Sequence, residues 1–354
     1  MNIQGYEMRA VGEPLMASRR EIDGPAEGQA LVEVLGCGVC HTDLGFLYDG
    51  VRTRHELPLV LGHEVAGRVV AQNAKGRDLT GKLVIVPAVM PCGRCDLCAR
   101  GRGDICKAQI FPGNDDHGGF ASHLLVPAHA LCEIPAEFDS ADVTKLAVVA
   151  DAVSTAYEAV QKSGLRQGDF AVFIGAGGVG GFGIQIARAL GARVLAIDVV
   201  PERLELMQEY GAEWVLNAKG SDPRQLKKTV RETASQAGLP DTEWKLFETS
   251  GTQAGQETAF SLLTFGAVLG VVGYHPGTVN VRLSNLMAFA ARAEGTWGCP
   301  PEQFPAVLEL IRKKQIAIEP FVETFPMSRI NEVFEQLRRH ELSRRPVLIP
   351  DFPS

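Results

Sequence analysis

Four cysteines lie close together in one short stretch of the sequence, in a pattern that suits a metal ion. Their spacing is C-x2-C-x2-C-x7-C, formed by Cys92, Cys95, Cys98 and Cys106. Four thiolates at such spacings are typical of a closed, tetrahedral zinc site, although an iron–sulfur cluster uses the same number of ligands. The neighbouring basic residues that would offset the negative charge are Arg94, Arg100, Arg102 and Lys107. Because a closed site leaves no position for a substrate, we expect a structural zinc lobe over residues 91–107.

A second set of metal-type residues is spread over distant parts of the chain. Cys40 lies in the stretch Gly-Val-Cys-His-Thr-Asp, and His63 lies in Gly-His-Glu. A catalytic zinc needs three protein ligands and one open position, and these two residues supply two ligands. A lone Cys or His more often lies in the core or on the surface, so the pattern by itself only suggests a site.

A glycine-rich turn predicts a site for a dinucleotide. The turn has the form G-x-G-x-x-G and consists of Gly175, Ala176, Gly177, Gly178, Val179 and Gly180. It follows an apolar run at 170–174 and precedes a helical pattern at 179–190, which is the arrangement that binds a pyrophosphate. Asp198 lies where a carboxylate binds both ribose hydroxyls and repels a 2′-phosphate, which favours NAD over NADP. The alternative is an ordinary strand–turn–helix junction with a surface aspartate.

The elements that must position these residues change in character near residue 150. Before it, short β-branched runs at 30–35, 65–71 and 83–86 are separated by Gly, Pro and Asn, which predicts irregular β structure. After it, predicted strands at 170–174, 193–197, 245–248 and 268–272 alternate with predicted helices at 179–190, 202–210 and 253–265. Such alternation indicates βαβ units and a parallel sheet. Two more helices, at 302–314 and 330–339, and a strand at 346–349 are predicted near the end.

Composition narrows the class of protein. A chain of 354 residues suggests two domains, and its 45% hydrophobic and 22% charged residues are ordinary for a globular protein. No apolar stretch approaches the ~20 residues of a membrane-spanning helix, and no signal peptide is visible. The net charge of −7 argues against nucleic-acid binding. Eight cysteines without an export signal indicate reduced thiols. We therefore expect a cytoplasmic protein without a membrane or nucleic-acid partner.

Taken together, the motifs resemble those of the zinc-dependent medium-chain alcohol dehydrogenases. The two metal-type stretches, the four cysteines, Gly118-Gly119-Phe120-Ala121 and the glycine-rich turn follow one another in that family's order across essentially the whole chain. The resemblance implies an α/β protein with a GroES-like, β-rich catalytic domain around a Rossmann domain with a doubly wound parallel sheet. It assigns the catalytic domain to 1–151, the NAD-binding domain to 152–297, and a return to the catalytic domain to 298–354.

The family implies a ligand set for a catalytic zinc. Cys40 and His63 match two ligands, and Asp151 takes the place of the cysteine that is the third ligand in many members. A carboxylate is an acceptable zinc ligand and keeps the same formal charge. The alternatives are that Asp151 caps the following helix or that Glu64 is the ligand instead. With the four-cysteine lobe, two zinc ions per subunit are expected.

Further roles follow from the same resemblance. Thr42 matches the hydroxyl that bonds the substrate oxygen, Asp43 matches a partner of the zinc-ligating His63, and Glu64 matches a carboxylate behind the metal. The residues that would contact NAD besides the glycine-rich turn and Asp198 are His41, Thr155, Val179, Arg203 and Arg345. One departure concerns Gly45, which replaces a histidine that passes the proton to solvent in many members. His41, His55 or water would have to serve instead.

The implied activity is hydride transfer between NAD and a zinc-bound secondary alcohol or ketone. Residues 111–120, together with Asp151, also resemble 6-hydroxycyclohex-1-ene-1-carbonyl-CoA dehydrogenases of anaerobic aromatic degradation, with Arg52 and Arg54 as candidates for a CoA phosphate. The alternatives are a general secondary-alcohol dehydrogenase of another pathway and an NAD- and zinc-binding redox sensor without turnover. Members of the family form dimers or tetramers, and we expect a homotetramer.

Overall fold

The computed structural model describes residues 1–138 and 142–353, which form two compact units. The first unit comprises Met1–Ser154, Gly298–Arg312 and Ile318–Ser354, and the second comprises Thr155–Trp297 and Lys313–Ala317. Residues 139–141 of the predicted first domain and Ser354 of the predicted C-terminal return lie outside the described residues. The units differ from the predicted ranges in two places: the boundary follows Ser154, and residues 313–317 belong to the second unit.

The regular elements are numbered along the chain. The strands are β1 Asn2–Met8, β2 Met16–Glu21, β3 Gln29–Gly38, β4 Leu59–Val60, β5 Glu64–Asn73, β6 Leu83–Val86, β7 His123–Pro127, β8 Cys132–Glu133, β9 Phe170–Ile174, β10 Arg193–Asp198, β11 Trp214–Asn217, β12 Lys245–Glu248, β13 Val268–Val271, β14 Arg292–Gly295, β15 Val322–Pro326 and β16 Arg345–Ile349. The helices are α1 His41–Leu47, α2 Asp96–Ala99, α3 Ala152–Lys162, α4 Gly180–Ala189, α5 Pro201–Glu209, α6 Pro223–Gln236, α7 Gln253–Ser261, α8 Ser284–Ala288, α9 Phe304–Arg312 and α10 Ile330–Arg338. None of the helices in the described residues is long and apolar enough to cross a membrane.

The first unit is built on two largely antiparallel sheets. A sheet of three strands has the order β2-β1-β4, and a larger sheet has the order β15-β16-β3-β5-β6-β8, with β7 also on β3. In the larger sheet Gly38, at the end of β3, pairs with Glu64, at the start of β5, and with Val347 of β16. Because Cys40 follows β3 and His63 precedes β5, this register brings the two predicted ligands to one end of the sheet.

The second unit contains a parallel sheet of six strands in the order β11-β10-β9-β12-β13-β14. Counted from β9, this is the 3-2-1-4-5-6 order of a doubly wound dinucleotide-binding fold, so the predicted fold class is confirmed. The glycine-rich turn follows β9, at the point where the strand order reverses. Residues 313–317 join this unit because the Gln185 side chain accepts from the Ala317 N–H at 2.8 Å and donates to its carbonyl at 3.3 Å.

Candidate metal and coenzyme sites

The four-cysteine lobe is a compact group of sulfur atoms on short turns around α2. The Sγ atoms of Cys95 and Cys98 are 3.4 Å apart, those of Cys95 and Cys106 are 3.7 Å apart, and those of Cys92 and Cys98 are 4.0 Å apart. A tetrahedral zinc with Zn–S bonds of ~2.3 Å requires sulfurs roughly 3.8 Å apart. The group therefore has the size that a tetrathiolate zinc needs.

The electrostatics of the lobe differ from one sulfur to the next. Backbone N–H groups of Arg94 and Cys95 lower the pKa of the Cys92 thiol to about 6, which favours its thiolate. Burial and the neighbouring Cys95 raise the pKa of Cys98 to about 12. Two of the basic residues expected to offset the negative charge have other partners, since Arg100 pairs with Asp96 and Arg102 pairs with Asp104.

A second group of ligand atoms comes from four separated positions of the first unit. One atom each of Cys40, His63, Glu64 and Asp151 lies within 4.8 Å of the others. Oδ2 of Asp151 is 3.8 Å from Cys40 Sγ and 3.6 Å from His63 Nε2. Zinc bonds of ~2.0–2.3 Å in a tetrahedron would set these separations at roughly 3.4–3.6 Å. The His63 ring is 1% exposed, and its Nε2 has no hydrogen-bond partner among the described residues, as expected of a nitrogen that binds a cation.

Asp43 orients the His63 ring from the side opposite to Cys40 and Asp151. Its carboxylate accepts the backbone N–H of Cys40 at 3.0 Å and that of Gly62 at 3.1 Å, and it lies 3.3 Å from His63 Nδ1. With Nδ1 facing Asp43, Nε2 faces Cys40 and Asp151, which is the usual support of a metal-ligating histidine. Burial alone would lower the pKa of His63, but Asp43 and Asp151 outweigh it and raise that pKa well above its usual value. The two carboxylates beside His63 therefore favour a positive charge at this position, either a proton on the ring or a bound cation.

Glu64 is held by other partners. Arg345 donates from Nε to Oε2 at 2.8 Å and from Nη2 to Oε1, and the backbone N–H of Ala152 donates to Oε1 at 3.2 Å. Both side chains of the ion pair are buried, at 0% and 6% exposure. A Cβ atom on Gly38 would lie 2.0 Å from Oε2, so only glycine leaves room for this carboxylate. The structure places Arg345, which was predicted to contact NAD, on Glu64.

Thr42 lies beside the same group, whereas the candidate proton carriers do not. The Thr42 hydroxyl is 3.7 Å from Cys40 Sγ. The exposed His41 ring is stacked on His340 with centroids 6.4 Å apart, and His55 lies 4.9 Å from the ring of His117. Neither ring belongs to the group of four ligand residues.

The segment 111–120 braces the loop that carries His63. Backbone N–H groups of Gly118, Gly119 and Phe120 donate to carbonyls of residues 60–62, and the Phe111 ring lies 4.8 Å from that of His63. A Cβ atom on Gly118 would lie 2.3 Å from the Gly62 carbonyl oxygen. Arg54, considered for a CoA phosphate, pairs with Asp115 at 3.0 Å. These contacts give the segment a structural role; sequence reasoning missed this role because it depends on long-range backbone pairing.

The glycine-rich turn of the second unit has the shape that its motif predicts. Gly175 has a φ of 102°, and a Cβ atom on Gly180 would lie 1.9 Å from the Gly175 carbonyl oxygen, whereas one on Gly177 would have its nearest neighbour, Arg203, at 3.6 Å. The backbone at Gly177 is therefore open to a close approach. Val179 and Gly180 form the start of α4, and Gly178 precedes them.

Asp198 ends β10 beside this turn. Its carboxylate accepts the backbone N–H of Ala176 at 2.6 Å and those of Val199 and Val200 at 2.7 and 2.9 Å, and it lies 4.0 Å from Arg203. These bonds fix the carboxylate next to the turn. Thr155 is buried in α3 of the second unit. The roles assigned to these residues toward a coenzyme stay predictions.

Comparisons with known proteins agree with this arrangement. Residues 26–136 match the family model described as alcohol dehydrogenase GroES-like domain, and residues 178–313 match that of the zinc-binding dehydrogenases. An alcohol dehydrogenase of Geobacillus stearothermophilus is 28% identical over 333 residues, which are 93% of this chain and 94% of that protein.

Solved structures of alcohol dehydrogenases are similar as well. The one from Aeropyrum pernix is 27% identical, with a TM-score of 0.85 over 98% of this chain and 100% of its own. The one from Thermotoga maritima is 25% identical, with a TM-score of 0.87 over 99% and 100%. The similarity therefore covers both units of the chain.

Proposed function

This chain belongs to the zinc-binding medium-chain alcohol dehydrogenase family, and we propose that it transfers hydride between NAD(H) and a secondary alcohol or ketone. Family membership confirms the predicted enzyme class, an alcohol dehydrogenase-type oxidoreductase. The observation that carries the proposal is the group of Cys40, His63 and Asp151, with the Thr42 hydroxyl beside it. Cys40 and His63 are buried and Asp151 is partly buried, and we call the three residues the buried group. Three ligand atoms of this kind, with a hydroxyl next to them, suit an alcohol-binding metal with one open position.

We infer that Asp151, rather than Glu64, is the third protein ligand. The oxygens of Glu64 accept hydrogen bonds from Arg345 and from the Ala152 N–H. Oδ2 of Asp151, in contrast, faces both Cys40 Sγ and His63 Nε2. The carboxylate that is turned toward the other two ligands is the one in position to complete the set, and Glu64 stays in the ion pair.

The residues at and around the buried group have different roles in the proposed reaction. Zinc, when bound, supplies a Lewis acid that lowers the pKa of an alcohol hydroxyl. Asp43 keeps Nε2 of His63 directed at the ligand group. Thr42 accepts the hydrogen bond of the substrate hydroxyl, and as it takes that proton it releases its own hydroxyl proton to solvent water. A second zinc in the four-cysteine lobe has a structural role, since four thiolates leave no open position.

We propose NAD as the coenzyme. The support is Asp198, whose carboxylate is fixed beside the glycine-rich turn by three backbone N–H groups. A negative charge held there accepts ribose hydroxyls and repels a 2′-phosphate. Thr155, Val179 and Arg203 are the further residues of the second unit that we assign to the coenzyme.

The CoA thioester is the second candidate for the substrate, because fewer observations support it than support an ordinary secondary alcohol. The segment 111–120 that carries this resemblance is explained by its backbone contacts to residues 60–62, and Arg54 has Asp115 as its partner. We therefore place an ordinary secondary alcohol first and include 6-hydroxycyclohex-1-ene-1-carbonyl-CoA as a test compound.

Formation of NADH, followed by its absorbance, tests the proposal. The purified chain is offered cyclic and acyclic secondary alcohols and the CoA thioester, with NAD or NADP. We expect turnover with NAD and at least one secondary alcohol. Binding of NAD without turnover of any of these compounds would indicate a sensor instead of an enzyme.

We also propose that the protein is located in the cytoplasm. We further propose that it forms a homo-oligomer, with a tetramer favoured over a dimer. The support is apolar exposure in one stretch of the second unit, where Leu283 and Met287 are 70% and 78% exposed. β14, which follows this stretch, is an edge strand with unpaired backbone groups, and such edges favour pairing. Light scattering with wild type and Met287→Glu tests this, and a mass near 38 kDa for the wild type would contradict it.

A further inference from the structure

One buried carboxylate of the second unit takes no part in the contacts assigned so far. Glu248 is the last residue of β12, where it is paired with Ile174 of β9 on one side and Val271 of β13 on the other. The residue is 1% exposed. It therefore lies at the edge of the sheet where the glycine-rich turn begins, directly after Ile174.

The carboxylate of Glu248 organises the chain that follows it. Its Oε1 accepts the Ser250 N–H at 2.9 Å, the Ser250 hydroxyl at 2.6 Å and the Gly251 N–H at 3.1 Å. Ser250 Oγ in turn lies 3.0 Å from the hydroxyl of Thr252, which caps α7. A single oxygen atom thus fixes the turn at 249–251 and the start of the next helix.

This turn packs against the glycine-rich turn. The Thr249 hydroxyl donates to the Gly175 carbonyl at 2.7 Å, and the Thr249 N–H donates to the Ile174 carbonyl at 2.9 Å. A Cβ atom on Gly175 would lie 2.6 Å from the Ser250 nitrogen, and one on Gly180 would lie 2.6 Å from the Thr249 hydroxyl. The position of the glycine-rich turn is therefore set partly by the 249–251 segment.

The packing around the carboxylate leaves no room for a side chain at the neighbouring glycines. A Cβ atom on Gly255 would lie 1.9 Å from Ser250 Oγ, and one on Gly273 would lie 2.7 Å from Glu248 Oε2. Oε2 is buried and has no hydrogen-bond partner among the described residues. Burial raises the pKa of Glu248 in spite of the bonds from Ser250 and Gly251. The hydrogen bonds accepted by Oε1 are therefore the ones through which the Glu248 carboxylate acts on its surroundings.

We propose that Glu248 is a positioning residue of the coenzyme site, which holds the 249–251 turn against Gly175 and thereby sets the affinity for the dinucleotide. The inference rests on the proposed function only in taking NAD(H) as the ligand. It assigns no contact between Glu248 and the coenzyme.

Binding of NADH to the full chain, measured by its fluorescence, tests the inference. Glu248→Ala removes three hydrogen bonds to the turn, and we expect the Kd for NADH and the KM for NAD to rise by about tenfold or more. kcat at saturating NAD should stay within about twofold, because the metal group lies in the other unit. Glu248→Gln keeps an oxygen acceptor, so its Kd should stay within about threefold of wild type. Glu257→Ala is the matched control, since its carboxylate accepts from Gln253 and Asn280 and should leave the Kd unchanged.

An unchanged Kd in Glu248→Ala, or an equal rise in Glu257→Ala, would overturn the inference. Should Glu248→Ala fail to fold, Ser250→Ala decides, because it removes one of the three bonds and leaves the carboxylate in place. We expect about a threefold rise in Kd for Ser250→Ala, and no rise would overturn the inference. A wild-type chain that binds neither coenzyme would defeat the proposed function, which is a different outcome from binding that does not depend on Glu248.

Discussion

The two candidate metal groups of the first unit are built in opposite ways. In the four-cysteine lobe all ligands come from one stretch, Cys92 to Cys106, and three of the four cysteines are only half-buried. In the buried group, the loop after β3, the residue before β5 and the end of the 3₁₀ helix Lys145–Ala150 each supply one ligand. The comparison shows that one site depends on local turns and the other on the packing of the whole unit.

Removal of a ligand from the buried group should have the largest effect. Asp151→Asn removes the charge that we assign to the third ligand, so turnover should fall by about a thousandfold, which corresponds to the loss of Lewis-acid assistance. Zinc content should drop by one per chain while the Kd for NADH stays near that of wild type. Asp151→Cys should retain the metal, because thiolate is the commoner ligand.

An Asp151→Asn protein that keeps both zinc ions and most of its activity would remove Asp151 from the ligand set. A crystal structure with the Asp151 carboxylate more than about 3 Å from a bound zinc would do the same.

The next effect concerns the ion pair behind the buried group. Arg345→Met leaves the Glu64 carboxylate buried without its partner, and breaking such a pair costs about 3–5 kcal/mol. We expect a loss of that order in the free energy of unfolding, measured with urea, together with loss of the buried zinc. Arg329→Met is the control, because the Arg329–Glu332 pair lies on the surface. Equal stability of Arg345→Met and wild type would show that the pair does not hold the site together.

Mild chelation should separate the two groups by lability. The wild-type chain is expected to contain two zinc ions, and the one in the buried group, with an open position, should exchange first, along with activity. The four-thiolate zinc should stay, since a closed set of ligands must open before it releases the metal. Metal analysis before and after treatment measures this, and a single zinc in the untreated protein would contradict it.

The smallest effect is expected at Asp198, which belongs to the second unit. Asp198→Gly removes the charge that opposes a 2′-phosphate, so the ratio of kcat/KM for NAD to that for NADP should fall by roughly tenfold. Zinc content should not change. A wild-type preference for NADP would refute the assignment of the coenzyme.

The sequence predicted best what short segments determine. β6 and β9 lie at the predicted residues, because each is an apolar run with clear ends, and β12 lies there as well, with Leu246 and Phe247 as its apolar residues. The glycine-rich turn was found because its motif is contained in six consecutive residues. In contrast, β1 was missed, because its apolar and polar residues follow no clear alternation. The helix α6 was missed as well, although Asp222 and Pro223 form a good helix start.

The buried group required information that no local pattern contains. Residue type suggested Cys40 and His63 as possible ligands, but the family resemblance was needed to assign them to one zinc and to place Glu64 behind it. Its pairing with Arg345 depends on β16 lying beside β3, and the space for its carboxylate depends on the missing Cβ of Gly38. Neither condition follows from spacing, because the partners are 281 residues apart. The pairing of Glu248 with the 249–251 turn was missed because nothing in its local sequence marks it as buried.

The distance between Glu64 and Arg345 along the chain also orders events during synthesis. Domains fold as units while the chain emerges from the ribosome, beginning at the N-terminal side. The segment Thr155–Trp297 is continuous, so most of the second unit is available for folding before β16 has been made. The four-cysteine segment is complete once residue 106 has emerged from the ribosome. The charge of Glu64, in contrast, is not neutralised until Arg345 has been synthesised. We therefore expect a ribosome-bound chain to bind a metal ion at the four-cysteine lobe long before it can do so at the buried group.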